Sequence, residues 1–191
     1  MNSKYARTIP AAGVLSAIAV LLTYVELPLP FMPPFMKIDI SDVPAMVSLF
    51  FLGFPTALFV TAVKDIIHLL VSESLGIGEL CNFLVTLVYL SMFQYASRYG
   101  TKQGYAAAIL AMTAVASFLN IAVLLPLYFA AFRIDEAQLF ALTQAAGNPV
   151  ATLQGYLLLV VVPFNLIKGS LIAAVSDLLR RKIAGYFGDA A

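Results

Sequence analysis

Charged and reactive side chains are scarce in this sequence. Of its 191 residues, 11% are charged, one is histidine, one is cysteine and none is tryptophan. Because Cys81 is the lone cysteine, we expect neither an internal disulfide nor a cysteine-based metal site. The net charge of +1 provides no basic field that would attract nucleic acid.

Catalytic motifs are missing as well. The sequence contains no GxxxxGK[ST] phosphate loop, no Ser/His/Asp set, no HExxH zinc motif and no carboxylate dyad within one helix. These absences exclude ATP hydrolysis by this chain and argue against a protease. We expect a protein that is not an enzyme and that carries no metal or cofactor.

Apolar residues dominate what is present. They make up 62% of the chain, against roughly 45–50% in soluble domains, and the mean hydropathy is +0.95. Long stretches are free of charge: 9–25, 43–63, 80–97, 104–132 and 137–167. A transmembrane helix takes about 20 such residues. The sequence therefore predicts an all-α integral membrane protein that forms one domain over 1–191.

The positions of lysine and arginine predict the topology. They cluster near the N-terminus, at 98–102 and at 180–182, and such clusters mark cytoplasmic segments. Both termini are then cytoplasmic, the first helix is retained rather than cleaved, and the number of crossings is even. Gly53-Phe54-Pro55 supplies a turn that favours six crossings over four. The predicted helices cover about 8–26, 42–53, 55–73, 79–98, 104–131 and 149–182.

Two connections fall on the outer side. Residues 27–41 contain four prolines, which forbid a helix and favour a stiff extended path. The second connection covers about 133–147. Asn148-Pro149 after it suits an N-cap and a first-turn proline, which would begin the last helix.

Lys168 is the most informative side chain. A charged lysine inside a membrane helix costs about 2.5–3.5 kcal/mol on insertion scales, so it needs a compensating role. Asn165 shares its helix face, and Pro163 frees the carbonyl of Leu159. These features predict a polar ligand pocket. The alternative is that Lys168 extends to the inner interface or pairs with Asp177.

Further polar residues occupy the other predicted helices. Asn120 and Asn82 lie at compatible depths, where each could instead be a hydrogen-bonding contact between helices. Lys64 and Asp65 are adjacent and point about 100° apart, so we expect no pairing between them; one faces the cavity, or both are tied to neighbouring backbone. His68 has no second metal ligand on its face and reads as a satisfied helix histidine.

The first helix carries two overlapping pairs of small residues, Gly13 with Ala17 and Ala12 with Ser16. Such pairs let another helix approach closely, either in a partner or within the same bundle. In the first outer connection, Phe35 is suited to stacking on a flat ligand.

Together these residues resemble one family, the riboflavin-specific substrate-binding subunits (S components) of energy-coupling factor (ECF) transporters. Four stretches carry the resemblance, and they span most of the chain: 33–44, 63–64, 119–128 and 163–169. Two positions depart from the family pattern. Lys37 stands where the loop is usually uncharged, and Asp65 stands where asparagine is common.

The resemblance implies a six-helix bundle that binds riboflavin near the extracellular face, with the first outer loop closing over the vitamin. Lysine and asparagine can donate hydrogen bonds to the carbonyl and nitrogen acceptors along one edge of the flavin ring. With no arginine cluster to bind phosphate, we expect riboflavin to be preferred over its mononucleotide. The expected binding residues are Lys168, Asn165, Asn120, Phe35, Met36, Ile38, Asn82 and Lys64.

The resemblance also implies partners, namely a transmembrane coupling subunit of the EcfT type and two cytoplasmic ATPases, with Ala12, Gly13, Ser16 and Ala17 at the docking face. The expected function is capture of extracellular riboflavin at the plasma membrane for ATP-driven uptake. One alternative keeps the binding role and changes the vitamin. Another is an intramembrane enzyme or a scaffold protein.

Overall fold

The first helix leads into a folded-back loop. The computed structural model describes residues 3–72 and 74–188; the remaining residues of the predicted domain, which include position 73 at the predicted end of the third helix, lie outside the described residues. Helix α1 (Ser3–Thr23) precedes two short strands, β1 (Leu27–Pro28) and β2 (Lys37–Ile38). They pair antiparallel, with Leu27 opposite Ile38. We call residues 24–42 the proline loop.

The proline loop is not helical, in line with its prolines, but the predicted extended path is wrong. Two tight turns fold it, because the Met32 N–H donates to the Leu29 carbonyl at 3.3 Å and the Met36 N–H donates to the Pro33 carbonyl at 2.9 Å. Strands β1 and β2 form a hairpin, so the end of the proline loop returns to the bundle, where the next helix begins.

A short helix and a longer one follow, α2 (Val43–Phe51) and α3 (Phe54–Leu69). Gly53 separates them with a φ of +93°, a conformation that favours glycine, and Pro55 lies in the first turn of α3. The break predicted at Gly53-Phe54-Pro55 is present. Helix α3 ends four residues before the predicted end at 73.

Three helical runs among the described residues are long and apolar enough to cross a membrane. The first joins α4 (Ile77–Ala96) to a 3₁₀ turn (Ser97–Tyr99). The second joins α5 (Thr101–Leu119), a π segment (Asn120–Leu124) and α6 (Leu125–Phe132). The third joins α8 (Leu153–Tyr156), a π segment (Leu157–Val161) and α9 (Val162–Gly188). In α1, residues Thr8–Thr23 form a shorter apolar helix.

The two π segments share one sequence feature. Each begins six residues before a proline, at Asn120 before Pro126 and at Leu157 before Pro163. Proline removes a backbone donor and crowds the carbonyl four positions earlier, and a wider turn relieves that crowding. The Leu159 carbonyl, predicted to be freed by Pro163, accepts a hydrogen bond from the Asn148 side chain at 3.2 Å.

The second outer connection contains a helix that the sequence reading missed, α7 (Glu136–Ala145). Asp135 and Gln138 form a capping box: Asp135 Oδ1 accepts from the Gln138 N–H at 2.8 Å, and Gln138 Oε1 accepts from the Asp135 N–H at 3.1 Å. The Asn148-Pro149 helix start is also wrong. Helix α8 begins at Leu153, and the Thr152 hydroxyl caps it by accepting from the Gly155 N–H at 3.0 Å.

Two apolar clusters pack the bundle. The larger cluster contains residues of helices α1 through α5 and of α9, and it is centred on Met46, Tyr89 and Met112. The smaller joins α6, α7 and α8 around Leu139 and Tyr156, with Met32 and Met36 of the proline loop packed against it. Many large apolar side chains remain exposed, including Leu21, Leu70, Leu110, Phe118 and Leu158, as expected for helices that face lipid.

Candidate functional site

Five side chains near the start of α2 form a closed ring of contacts, which we call the lysine–carboxylate ring: Asp42, Lys64, Asp65, Asn82 and Lys168. Lys64 Nζ lies 2.5 Å from Asp42 Oδ1 and 3.4 Å from Asp65 Oδ1. The Asn82 amide donates to Asp65 Oδ1 at 3.1 Å and accepts from Lys168 Nζ at 2.9 Å. Lys168 Nζ closes the ring 3.3 Å from Asp42 Oδ2.

The ring joins four parts of the chain. Asp42 is the N-cap residue of α2, whereas Lys64 and Asp65 lie on α3, Asn82 on α4 and Lys168 on α9. Lys168 is 7% exposed and Asp42 2% exposed. Groups buried this deeply are held by charge pairing, since an unpaired charge would be strongly destabilising there.

The proline loop contributes a third carboxylate. Asp39 Oδ2 lies 3.5 Å from Lys168 Nζ, while Asp39 Oδ1 accepts hydrogen bonds from the backbone N–H and the hydroxyl of Ser41. Burial acts to raise the pKa of Asp39, but the Lys168 ammonium, helped by Lys64 and the Ser41 hydroxyl, holds it below its usual value. Asp39 is therefore an ionised partner of Lys168 at neutral pH.

The structure bears on two sequence expectations about Lys64 and corrects the first of them. Lys64 and Asp65 do contact each other, with Lys64 Nζ 3.4 Å from Asp65 Oδ1, although the two side chains leave the helix in different directions. Lys64 is 1% exposed and enclosed by Asp42, Asp65 and the Ser41 hydroxyl, 3.3 Å away, and its direct role in binding a ligand stays a prediction.

Lys168 does not follow the alternatives considered for it. Its ammonium lies among Asp39, Asp42 and Asn82 rather than at the inner interface. Asp177, the other proposed partner, instead pairs with Arg180 at 2.6 Å and Arg181 at 2.7 Å.

The two asparagines expected beside Lys168 are both buried, with different partners. The Asn165 amide nitrogen donates to the Val161 carbonyl one turn earlier, at 2.8 Å, so this donor is used within the helical run that carries Asn165. Asn120 begins the first π segment, and its Oδ1 is buried without a hydrogen-bond partner. A buried acceptor of this kind is costly unless a donor reaches it, so Asn120 retains the capacity to bind a polar ligand group.

The loop residues expected at the site lie in three different environments. Phe35 is 48% exposed, Met36 is half-buried and Ile38 is buried. The Tyr156 hydroxyl lies 3.6 Å from the Met36 sulfur. Only Met36 and Ile38 therefore face the bundle in this conformation.

Asn148 is a further candidate for the site, which the sequence patterns did not indicate. Its amide nitrogen donates to the Phe31 carbonyl of the proline loop and to the Leu159 carbonyl of the π segment, both at 3.2 Å. Its Oδ1 is buried without a hydrogen-bond partner. Asn148 thus connects the tip of the loop to the last membrane helix.

His68 is satisfied by a neighbour, as expected. Its Nδ1 lies 2.8 Å from Glu79 Oε1. The other oxygen of Glu79 accepts from Ser72 at 2.8 Å and from Ser74 at 2.7 Å. This cluster ties the α3–α4 connection together.

The small residues of α1 divide between two faces. Ala12 and Ser16 are buried inside the bundle, so internal packing accounts for that pair and corrects its predicted docking role. Gly13 and Ala17 are exposed, and a Cβ built at Gly13 would meet no atom within 4 Å.

The chain matches known proteins along nearly its full length. A family model described as "ECF transporter, substrate-specific component" matches residues 7–179. The riboflavin transporter RibU of Staphylococcus aureus (strain TCH60) is 34% identical over 192 residues, with 97% of this chain and 95% of that protein covered. The riboflavin transporter FmnP of Bacillus subtilis (strain 168) is 30% identical over 179 residues, with 90% of this chain and 88% of that protein covered.

A solved structure supports the same relation. It is described as "Structure and mechanism of the S component of a bacterial ECF transporter", and it superposes with a TM-score of 0.76 at 30% identity, covering 96% of this chain and 98% of that one. A match of this extent shows that the two chains share a fold.

Proposed function

The chain belongs to the substrate-specific components of ECF transporters, and we propose that it binds riboflavin and delivers it to an ATP-driven uptake transporter of that class. One observation carries this conclusion: a riboflavin transporter is 34% identical over 97% of the chain. The chain is a membrane transport component and not an enzyme, and riboflavin is its cargo rather than a cofactor.

The proposed topology has six membrane-spanning helices, with both termini in the cytoplasm and the proline loop outside the cell. Three long apolar runs and the apolar part of α1 support it, as does the sorting of lysine and arginine into clusters. In this arrangement α2 and α3 are the two short spans. The protein is then a multi-pass protein of the plasma membrane whose binding site faces outward.

The proposed partners are an EcfT-type transmembrane coupling subunit and two cytoplasmic ATPases. The chain has no phosphate-binding loop of its own, so the energy for uptake must come from another subunit. Gly13 and Ala17 supply an exposed small-residue face on α1 for close approach of a partner helix.

The proposed binding site lies between the lysine–carboxylate ring and the two π segments, Asn120–Leu124 and Leu157–Val161. Lys168 donates to the acceptor edge of the flavin ring, while Asn120 and Asn165 contribute amide groups. Met36 and Ile38 contribute apolar contacts from the loop, and Phe35 stacks on the vitamin if the loop tightens around it. Asn82 orients Lys168 at 2.9 Å.

Riboflavin is favoured over its mononucleotide by the placement of arginine. A phosphate group binds best to the planar fork of an arginine side chain. The arginines with described side-chain contacts pair elsewhere, Arg98 with the Tyr95 carbonyl and Arg180 and Arg181 with Asp177.

The test is a titration of the purified protein with riboflavin, followed by quenching of flavin fluorescence. We expect quenching at micromolar vitamin or below, and weaker quenching with the mononucleotide. No quenching by riboflavin would overturn the assignment of the vitamin, and binding of a different vitamin would identify the correct one.

The site is tested separately by Asn165→Ala. We expect riboflavin affinity to fall several-fold with the fold intact, because one polar contact is worth about 1 kcal/mol. Ser170→Ala, an exposed position on the same helix, is the matched control. Equal affinities in the two variants would refute the placement of Asn165 at the site.

A further inference from the structure

Asp42 and Asn82 both contact Lys168, and each of them also contacts one residue of the adjacent pair Lys64 and Asp65. Asp42 contacts Lys168 through Oδ2 and Lys64 through Oδ1. Asn82 accepts from Lys168 through its oxygen and donates to Asp65 through its nitrogen. Each orienting side chain therefore uses one end for Lys168 and the other end for the Lys64–Asp65 pair.

This arrangement fixes orientation as well as charge. A carboxylate has two equivalent oxygens and can turn both of them toward one ammonium group. Lys64, 2.5 Å from Oδ1, keeps that oxygen of Asp42 away from Lys168. Asp65 likewise keeps the Asn82 amide turned so that its oxygen, and not its nitrogen, faces Lys168.

The contacts of Lys168 leave room for exchange with a ligand. An ammonium group has three donors. The contact with Asn82 is short at 2.9 Å, whereas the contacts with Asp42 at 3.3 Å and Asp39 at 3.5 Å exceed the usual hydrogen-bond distance. A ligand acceptor can replace one of the long contacts while the short contact holds the side chain in place.

We propose that Lys64 and Asp65 are positioning residues: through Asp42 and Asn82 they aim the Lys168 ammonium at the flavin acceptor edge without touching the vitamin. The proposal rests on the proposed function and assigns these buried residues a part in it. Two ammonium groups and three carboxylates meet here, and each carboxylate lies within ion-pair distance of at least one of the two ammonium groups. Lys64 therefore also limits how strongly the carboxylates bind Lys168.

A double-mutant cycle tests this assignment. Riboflavin affinity is measured by fluorescence quenching for the unaltered protein, Lys64→Met, Lys168→Met and the double variant. We expect Lys64→Met to weaken binding about tenfold, because the loss of an oriented charged donor is worth about that factor. In the Lys168→Met background, the same change should alter affinity less than about twofold.

The cycle separates positioning from a general structural role. If Lys64 only supports the fold, or contacts riboflavin itself, Lys64→Met weakens binding by the same factor in both backgrounds and the proposal is overturned. An unchanged affinity for Lys64→Met overturns it as well. Thr61→Val is the matched control: Thr61 is buried on the same helix, and its hydroxyl donates within that helix, at 3.1 Å to the Ala57 carbonyl.

A second variant covers the case in which Lys64→Met does not fold. Asp65→Leu removes the partner of Asn82 but leaves Lys64 paired with Asp42, and its effect should also disappear in the Lys168→Met background. Failure of the unaltered protein to bind riboflavin would overturn the proposed function and this inference together. Binding with additive effects would overturn the inference alone.

Discussion

The proline loop is attached to the bundle by different forces at its root and at its tip. At the root, Asp39 and Asp42 form ion pairs with buried lysines of α3 and α9. At the tip, Met32 and Met36 make apolar contacts, and the Phe31 carbonyl accepts one amide hydrogen bond. Buried ion pairs are directional and costly to break, whereas apolar contacts and a neutral hydrogen bond separate in small steps.

This difference predicts two kinds of mutational effect. Changes at the root should lower stability or ligand affinity, because they leave a buried charge without its partner. Changes at the tip should mainly alter the rates at which ligand enters and leaves. These predictions treat the root as the fixed point and the tip as the part of the loop that opens.

The largest effect is expected for Asp42→Leu, which removes the carboxylate shared by Lys64 and Lys168. Loss of one partner from a buried ion pair costs about 3–5 kcal/mol of unfolding free energy. Thermal unfolding in detergent measures the change. Unfolding is monitored by the rate at which a thiol reagent labels Cys81, which is buried in the folded protein.

The control for Asp42→Leu is Asp135→Leu, which removes an exposed helix cap at α7 and should cost about 0.5–2 kcal/mol. A destabilisation by Asp42→Leu that is no larger than that of the control would contradict the structural role given to the root.

The next largest effect is expected for Lys168→Met. We expect riboflavin affinity to fall roughly 10- to 100-fold, since a hydrogen bond from a charged donor is worth about 1.5–3 kcal/mol. Stability should fall less than in Asp42→Leu, because Asp42 stays paired with Lys64 at 2.5 Å. Fluorescence titration and thermal unfolding measure the two quantities. Lys102→Met, at an exposed lysine, should change neither, and an unaltered affinity in Lys168→Met would remove Lys168 from the site.

A smaller effect, on rates, is expected for Asn148→Ala. The substitution removes the donor to Phe31 and Leu159, so the tip should open more often and riboflavin should leave about three- to tenfold faster, given about 1 kcal/mol per hydrogen bond. Stopped-flow fluorescence measures the release. In the control Gln144→Ala, the bond lost is a local one to the Val150 carbonyl at 2.7 Å. Equal release rates in the two variants would show that Asn148 does not hold the loop.

The smallest effect concerns Asp39 and pH. Its folded-state pKa is lowered, so the stability it contributes is present above its unfolded pKa of about 3.9 and is lost as the pH falls through the folded value. Asp39→Asn should therefore lower the unfolding midpoint slightly at pH 7, and the difference from the unaltered protein should disappear as the pH falls through the folded pKa of Asp39. A difference that is constant across this range would assign it to packing instead of charge.

Local sequence patterns predicted much of the fold. The apolar stretches, the break at Gly53 and the non-helical proline loop all depend on neighbouring residues, and the structure shows each of them. Helix α7 was also locally encoded, since Asp135 and Gln138 have the spacing of a capping box. At ten residues it is too short to cross a membrane, so hydropathy alone did not predict it.

The contacts of the candidate site could not be predicted in the same way. The expected burial of its charge indicated that Lys168 needs partners, but its partner Asn82 is 86 positions away in the chain. Likewise, Lys64 pairs with Asp42, which lies 22 positions away. Only the packing of α2, α3, α4 and α9 brings them together. Asn148 was also mispredicted, since its amide nitrogen donates to the distant Phe31 carbonyl and to the Leu159 carbonyl inside the following helical run, whereas an N-cap side chain accepts from the first turn of a helix.

Each π segment closes with one backbone bond that reaches five residues back, from Leu125 to Asn120 and from Val162 to Leu157. Compared with an α-helix, such a turn contains one additional residue, which shifts the angular phase of everything beyond it by about 100°. Both long helices thus consist of two halves whose side-chain directions are offset from each other by that angle. In the proposed binding site, the half of each helix beyond the π segment therefore presents side chains to the ligand that an unbroken α-helix would turn elsewhere.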